Sequence, residues 1–470
     1  MKKLLGVLLI FIALVIGVIL VFNTITVSSK QNQATLVEPM PLNTKAVGRL
    51  AQSIKLPTIS TPVIDTAVFT KFKELIGQKF SSVFKHTGVE YQYINEFSLI
   101  LKWNGRNPSK KPVLLLANQD VLDPDLKTIP EWSYNPFLGK LKDNKVWGRG
   151  TLDGKVSVLA ILEALRLVTS EDWVPERTLY CVFTHDSYNL ETASAKAIAW
   201  MFQQAGIEFE FGLATGNGLW AEGVLSVEQP MALVGVAAKN KVKIELKDNK
   251  NNMGELKSAS QTLQTNVLYN DLRKGLSNSF LTFLTPEMPF MQRMVGANLW
   301  LLKWFAHQSI ANDKVAQASL WSTIELEQLK KKAGDSTEAV LHTLLSKDWD
   351  MSDFEQELND WIANRNIKVE LSSEGAYAQN IASAEGYSFD LLQTTIKEVF
   401  AETLVIPTTR FKYTDANYFA ALTEQLYYFS PVEQSTRTLL ETNPIDDVIS
   451  FENYQQLIHF YYQLIRNTTR

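Results

Sequence analysis

Residues 112–117 read Pro-Val-Leu-Leu-Leu-Ala, and residues 178–184 read Thr-Leu-Tyr-Cys-Val-Phe-Thr. Runs this short and this apolar have no face to offer to water. As strands they need cover on both sides, which a largely parallel central sheet supplies. Between them, residues 156–168 repeat apolar side chains every three or four positions, the period of a helix. Residues 193–205 do the same and stop at Gly206. Strand, helix, strand, helix is an α/β order. After Val236 the texture changes. Residues 239–252 form a charged strand region in which Val242, Ile244 and Leu246 alternate, and helical stretches follow at 298–307 and 352–363. From Glu374 the α/β pattern resumes, with a helix at 389–400, a strand at 425–429 and an amphipathic helix at 451–466. The expected fold is α/β, a doubly wound mixed sheet interrupted by a smaller α+β domain. The expected segments are 1–23 and 24–45 (a membrane anchor or uncleaved signal, then a linker), 46–236 and 368–470 (the two parts of the α/β domain), and 237–367 (the insertion). At roughly 100–200 residues per domain, a chain of 470 residues has room for two or three units.

The first residues set the compartment. Met1, Lys2 and Lys3 precede an uncharged run over residues 4–22, about the length a bilayer-spanning helix needs. The next basic residue is Lys30, so the positive-inside rule puts the N-terminus in the cytoplasm and the body outside. A cleaved signal usually has an apolar core of about 7–15 residues and a small-x-small site. No convincing Ala-x-Ala is present, so an uncleaved anchor is the reading, with the body periplasmic, extracellular or lumenal. A single cysteine, Cys181, inside an apolar run suits that compartment and leaves no disulfide to form within one chain.

Composition removes other classes. Formal net charge is −4, hydrophobic residues make up 46% and charged residues 20%. That is an ordinary globular balance without the basic surplus of a nucleic-acid binder. There are five histidines, at 86, 185, 307, 342 and 459, and no two have metal-ligand spacing.

Four stretches carry a resemblance. They are Leu-Leu-Leu-Ala-Asn-Gln-Asp-Val at 114–121, Trp-Ser-Tyr-Asn-Pro-Phe-Leu-Gly at 132–139, Trp-Gly-Arg-Gly-Thr-Leu-Asp-Gly-Lys at 147–155 and Phe-Thr-His-Asp at 183–186. Weaker matches are Tyr-Thr-Asp at 413–415, Tyr-Phe-Ser-Pro at 428–431 and the closing helix. In this order they resemble the zinc-dependent aminoacylase/carboxypeptidase S family of peptidases, which includes acetylornithine deacetylase-like enzymes. The resemblance implies a zinc-peptidase fold with an inserted lid or dimerisation domain, and the anchor fits the carboxypeptidase S branch. It also implies two zinc ions sharing a carboxylate, with a Glu as general base on the bridging water.

At the positions the resemblance assigns, this chain departs from the pattern. The His of the His-x-Asp motif is Asn118, while the Asp that orients it remains as Asp120. The bridging Asp remains as Asp153, but its usual Asp neighbour is Gly154. The general base is replaced by Ser187, and the ligand after it by Tyr188. The next ligand aligns with Thr215 and the last with Asn443. In the inserted domain the substrate-contacting His aligns with Glu255, and the Arg for the substrate carboxylate with Thr323. Zinc takes His, Cys and carboxylate donors, for which Asn, Thr and Tyr are poor replacements. Four of five direct ligands are lost by this alignment, and one bridging Asp cannot offset two dications. Asp120 and Asp153 together offer at most a weak oxygen-only site for Mg²⁺ or Ca²⁺. Loss of the base alone removes help worth about 10²–10⁴-fold.

No other chemistry takes over. His185, Asp186 and Ser187 are consecutive, and alternation along an extended chain sends them to different faces rather than into a nucleophile–base–acid chain. No Gly-x-Ser-x-Gly elbow occurs. Cys181 reads as a buried, inert thiol. His307 and His342 are expected on helices of the insertion, and His459 on the last helix. Lys330, Lys331 and Lys332 read as a solvated helix face. Asp123 and Asp125 read as solvated turn charges, and Asp446 and Asp447 as a charge feature of a helix N-terminus or loop. Tyr427, Tyr428 and Phe429 read as sheet core, and Trp132 and Phe137 as either packing or pocket edge.

The expectation is therefore a membrane-anchored, extracytoplasmic relative of these enzymes that is catalytically inactive, with no cofactor. Its cleft would bind a peptide or N-acyl amino acid, or it would act through partners such as an active paralogue or a second copy. The alternative is an active hydrolase of peptide or amide bonds with an altered metal site, in which zinc would be the cofactor. A third reading has the cleft itself filled, with Tyr188 bulky enough to plug the zinc position.

Overall fold

The computed structural model describes the chain except residues 1, 172, 190–193, 249–251, 332–336, 363–365, 375–379, 442 and 469–470. The parts of expected elements that fall at 193, 249–251, 332 and 363 lie outside the described residues.

The apolar runs become neighbouring inner strands. Val113–Asn118 pairs in parallel with Leu179–Thr184 on one side and Phe211–Ala214 on the other, and every residue of all three is buried. Phe211–Ala214 in turn pairs in parallel with Leu426–Tyr428, and Leu404–Arg410 lies parallel to Met231–Ala238. Antiparallel strands Val89–Ile94 and Ser98–Trp103 finish one edge. The result is a ten-stranded mixed sheet among the described residues, drawn from both ends of the chain.

Gly154–Val168 crosses from the first inner strand to the second and is buried along nearly its whole length, so it carries apolar side chains all round. It packs against the closing helix Phe451–Thr468. Glu163 is buried within it and paired with Arg49 and Arg166.

A second, four-stranded antiparallel sheet is built from Asn240–Asp248, Ile324–Lys331, Thr337–Leu345 and Ile367–Glu374. Asn240–Asp248 alternates buried and half-buried along its length, so one side meets helices Met253–Thr265 and Met351–Ile362 in a separate core.

Two local expectations are corrected. His342 lies on the strand Thr337–Leu345, not a helix, with its Nε2 2.7 Å from Glu327 Oε2. Lys330 also lies on a strand, 3.8 Å from Glu338 Oε2. In both cases pairing to a neighbouring strand overrides a local pattern that suits a helix.

The polar stretch after the N-terminal helix runs along the body. Gln31 exchanges hydrogen bonds with the Val405 backbone (3.0 and 2.9 Å), Asn32 N donates to Gln393 Oε1 (2.8 Å), and Val37 N donates to Glu398 O (2.9 Å).

Candidate functional site

Asp153 occupies the N-terminal cap of Gly154–Val168, but its side chain makes no capping bond. It faces a cleft instead. Asp153 Oδ2 accepts a 2.6 Å hydrogen bond from Tyr188 Oη, and Arg410 Nη2 lies 3.9 Å from Oδ1. Burial and the carboxylates of Asp153 and Asp120 hold the Tyr188 phenol well above its ordinary range, so it stays a proton donor.

Asp120 sits beneath. It is buried, with Oδ2 accepting from Ser60 Oγ (2.7 Å) and Tyr188 N (3.1 Å), and Oδ1 from Asn118 Nδ2 (3.2 Å). Burial pushes its carboxyl up to about 7, against the pull of these hydrogen bonds. Asn118 ends the strand Val113–Asn118 and spends its amide on Asp120, donating also to the Asp120 carbonyl (3.0 Å). Its Oδ1 presses on the start of the next helix, where a Cβ on Gly154 would lie 1.9 Å away.

The three consecutive residues at the end of the second inner strand diverge. His185 Nδ1 is 2.8 Å from Ser98 Oγ, between the rings of Phe69 and Phe97. Asp186 accepts from the backbone and hydroxyl of Ser194 (3.0 and 2.9 Å). Ser187 Oγ donates to the half-buried Asp415 (2.7 Å) and lies 2.8 Å from Thr184 Oγ1. No nucleophile–base pair forms from them.

The assigned positions are dispersed. Asp120, Asp153 and Tyr188 line the cleft, whereas Asn118 and Thr215 line a separate pocket of about 10 Å³ beside Asp415. Asn443 accepts from Arg149 Nη2 and donates to Asp123 O (2.9 Å). Glu255 is bonded to Asn252 at the start of Met253–Thr265, and Thr323 accepts from Thr343 through its carbonyl. Neither is among the residues lining the cleft.

Several residues that shape the cleft carry no signal in the family motif. Arg410, the last residue of the strand Leu404–Arg410, and Lys412, in the bend after it, both line it, and Lys412 Nζ donates to Thr438 O (2.7 Å). Only the fold brings both to the cleft that holds Asp153. Asp447 is buried. It pairs with Arg149 at 3.0 and 3.1 Å and accepts from Gly150 N (3.2 Å). Arg149 also stacks over the buried Trp132, 4.9 Å from the ring centre. Three carboxylates and three basic side chains thus balance around a cavity of about 40 Å³, room for a few waters.

The sequence model of peptidase family M20/M25/M40 matches residues 114–467. The chain belongs to this family. It is 28% identical to a probable carboxypeptidase S-like 2 of Dictyostelium discoideum, across 97% of this chain and 93% of that one. It is 27% identical to the N-fatty-acyl-amino acid synthase/hydrolase PM20D1 of Xenopus tropicalis, across 90% and 85%. Among solved structures it shares its fold with the M20 family metallo-carboxypeptidase Sso-CP2 of Sulfolobus solfataricus. There the TM-score is 0.63 at 14% identity, covering 90% of this chain and 98% of that one.

Family membership implies a pair of metal ions, and the residues present do not fit one. A ligand must present a lone pair to the metal. Here the Asn118 amide nitrogen is a donor turned to Asp120, the Tyr188 hydroxyl is a donor turned to Asp153, and the Asn443 carbonyl is held by a guanidinium. Among the described residues no three His, Cys, Asp or Glu side chains converge as a metal site.

Proposed function

We propose that this chain is a membrane-anchored, extracytoplasmic member of the family that has given up metal-dependent hydrolysis and works as a scaffold through protein partners. The observation that carries the reading is the Tyr188–Asp153 hydrogen bond. The bridging carboxylate is retained, but a phenol takes the place of a metal on one oxygen and Arg410 approaches the other. Cationic side chains thereby supply charge compensation that metal ions would otherwise give. The small cavity favours a filled cleft over one that holds a peptide or N-acyl amino acid. The activities in the relatives' names therefore do not carry over, and the natural partners are an active relative or a second copy of this chain.

The anchor reading rests on the helix Lys2–Thr26, whose apolar stretch has a mean hydropathy of 3.4 and is unburied by the rest of the protein. Lysines before it and none until Lys30 favour a cytoplasmic N-terminus.

Metal analysis of the purified chain, dialysed against zinc and then buffer, tests the central claim alongside assays on N-acyl amino acids and dipeptides. No stoichiometric zinc and no hydrolysis are expected. One or two tightly held zinc ions per chain would overturn the proposal in favour of an active hydrolase.

A further inference from the structure

Helices Phe290–Ala297 and Leu299–Ala311 meet at Asn298 and display six large apolar side chains to solvent. Phe290 and Met291 lie on the first, and Trp300, Leu301, Trp304 and Phe305 on the second. Met291 is 66% exposed and Trp304 65%. The second helix kinks at Leu302, with Trp300 and Leu301 exposed before the kink and Trp304 and Phe305 after it, while Ala306 and Ile310 are buried. Single exposed apolar residues need no explanation, but a contiguous group rich in Trp and Phe marks a contact surface.

What covers this surface follows from where it sits. The first of the two helices packs against the N-terminal helix Lys2–Thr26. Asn298 Nδ2 donates to the Leu20 carbonyl (3.1 Å), and Asn23 Nδ2 donates to Asn298 Oδ1 (2.9 Å). Thr24 is fully buried, and Ile16 and Leu20 are partly shielded on the same face. Leu20 lies inside the apolar run, and Asn23 and Thr24 lie just past its end. At 1.5 Å per residue, Leu20 is about 3 Å below Phe22, where the unbroken apolar run ends. A helix seated on Leu20 and Asn23 beside a membrane-spanning helix lies at the boundary between headgroups and water, the level at which interfacial helices dock.

We infer that the 290–311 helix pair is a second membrane contact, lying in the outer leaflet beside the N-terminal helix and fixing how the body sits on the bilayer. This rests on the anchor reading above. Trp300 and Trp304 have the amphipathic rings favoured at such interfaces. Lys303, exposed between them, can reach the headgroups from an apolar stem. The Asn23–Asn298 pair supplies the side-chain hydrogen bond that couples helices where water is scarce.

The test uses the full chain reconstituted in phosphatidylcholine vesicles. Cys181 is buried, so a new surface cysteine takes an environment-sensitive fluorophore selectively. Trp304→Cys and Met291→Cys report from the two helices. Trp200→Cys, 63% exposed on the helix Ser194–Gln204, is the control. Expected are blue-shifted emission and strong quenching by shallow spin-labelled lipid at 304 and 291, with neither at 200. Carbonate extraction of the same vesicles reads the anchor separately. If the protein stays in the pellet but labels at 304 and 291 behave like that at 200, this inference fails and the anchor stands. If carbonate releases the protein, both fail. Cross-linking between copies through 304, without lipid quenching, would replace the bilayer with a second chain as the occupant.

Discussion

The Tyr188 hydroxyl and the Asp153 carboxylate, 2.6 Å apart, join two segments of the chain across one cleft. Asp153 opens a helix and Tyr188 follows an inner strand, and the backbone N–H of Tyr188 also binds Asp120. One residue thus satisfies both retained carboxylates.

Zinc should therefore leave the protein's thermal stability unchanged. A ligand at about 100 times its Kd adds about 2.7 kcal/mol to a folded state that binds it. Thermal unfolding with and without excess zinc reads this directly, and an upward shift in Tm would contradict the site described.

Tyr188→Phe should cost about 1 kcal/mol, below the roughly 1.5–3 kcal/mol of a fully buried hydrogen bond to a charged group. Asp153 is 38% exposed at its side chain, so water recovers part of the loss. Urea unfolding measures it, and an unchanged midpoint would mean that the phenol does not hold the carboxylate.

Gly154→Ala should destabilise by about 1–3 kcal/mol through overpacking. The new Cβ would lie 1.9 Å from Asn118 Oδ1 and 2.5 Å from the Asn118 carbonyl oxygen. Trimming the side chain with Asn118→Ala should restore only part of the loss, because the backbone oxygen stays. Full recovery in the double variant would show that the backbone contact does not matter.

Arg149→Met should cost about 3–5 kcal/mol, since it leaves Asp447 buried without its cation. Arg149→Met with Asp447→Asn should recover much of this. Strict additivity of the two single effects in a double-mutant cycle would contradict a direct pair.

Lys239 gives a pH signature. Its ammonium is buried at the junction of the two sheets, donates to Trp321 O (2.9 Å), and is pushed down to about 8 by burial. An unfolded lysine titrates near 10.4. Between about 8 and about 10.4 the folded chain holds fewer protons than the unfolded one, so this group adds stability as pH rises. The Tm of the native chain should therefore gain on that of Lys239→Met between about pH 7 and about pH 10. A constant difference would mean that Lys239 titrates normally.

Much of the fold was legible because its signals are local. The inner strands at 113–118 and 179–184 are apolar throughout, and the helix between them keeps a helical period. Tyr427, Tyr428 and Phe429 are core, as their clustering suggested. His342 and Lys330 were misread because their stretch is decided by strand partners elsewhere in the chain. The partner of Asp447 was not legible, because Arg149 lies 298 positions earlier and only the fold places it there.

By itself the sequence determined the residue types at 118, 120, 153, 187, 188, 215 and 443, because chemical identity needs no coordinates. It also determined the α/β order and the long apolar N-terminal run, since periodicity and hydropathy are properties of short windows. Only the tertiary structure decided what those residues do. It put the Tyr188 phenol on Asp153, brought Arg410 and Lys412 into the same cleft, and left the aromatic side chains of 300–305 exposed beside the N-terminal helix. Each of these joins side chains tens to hundreds of positions apart, and such contacts arise from packing the whole chain rather than from any local preference of the segments involved.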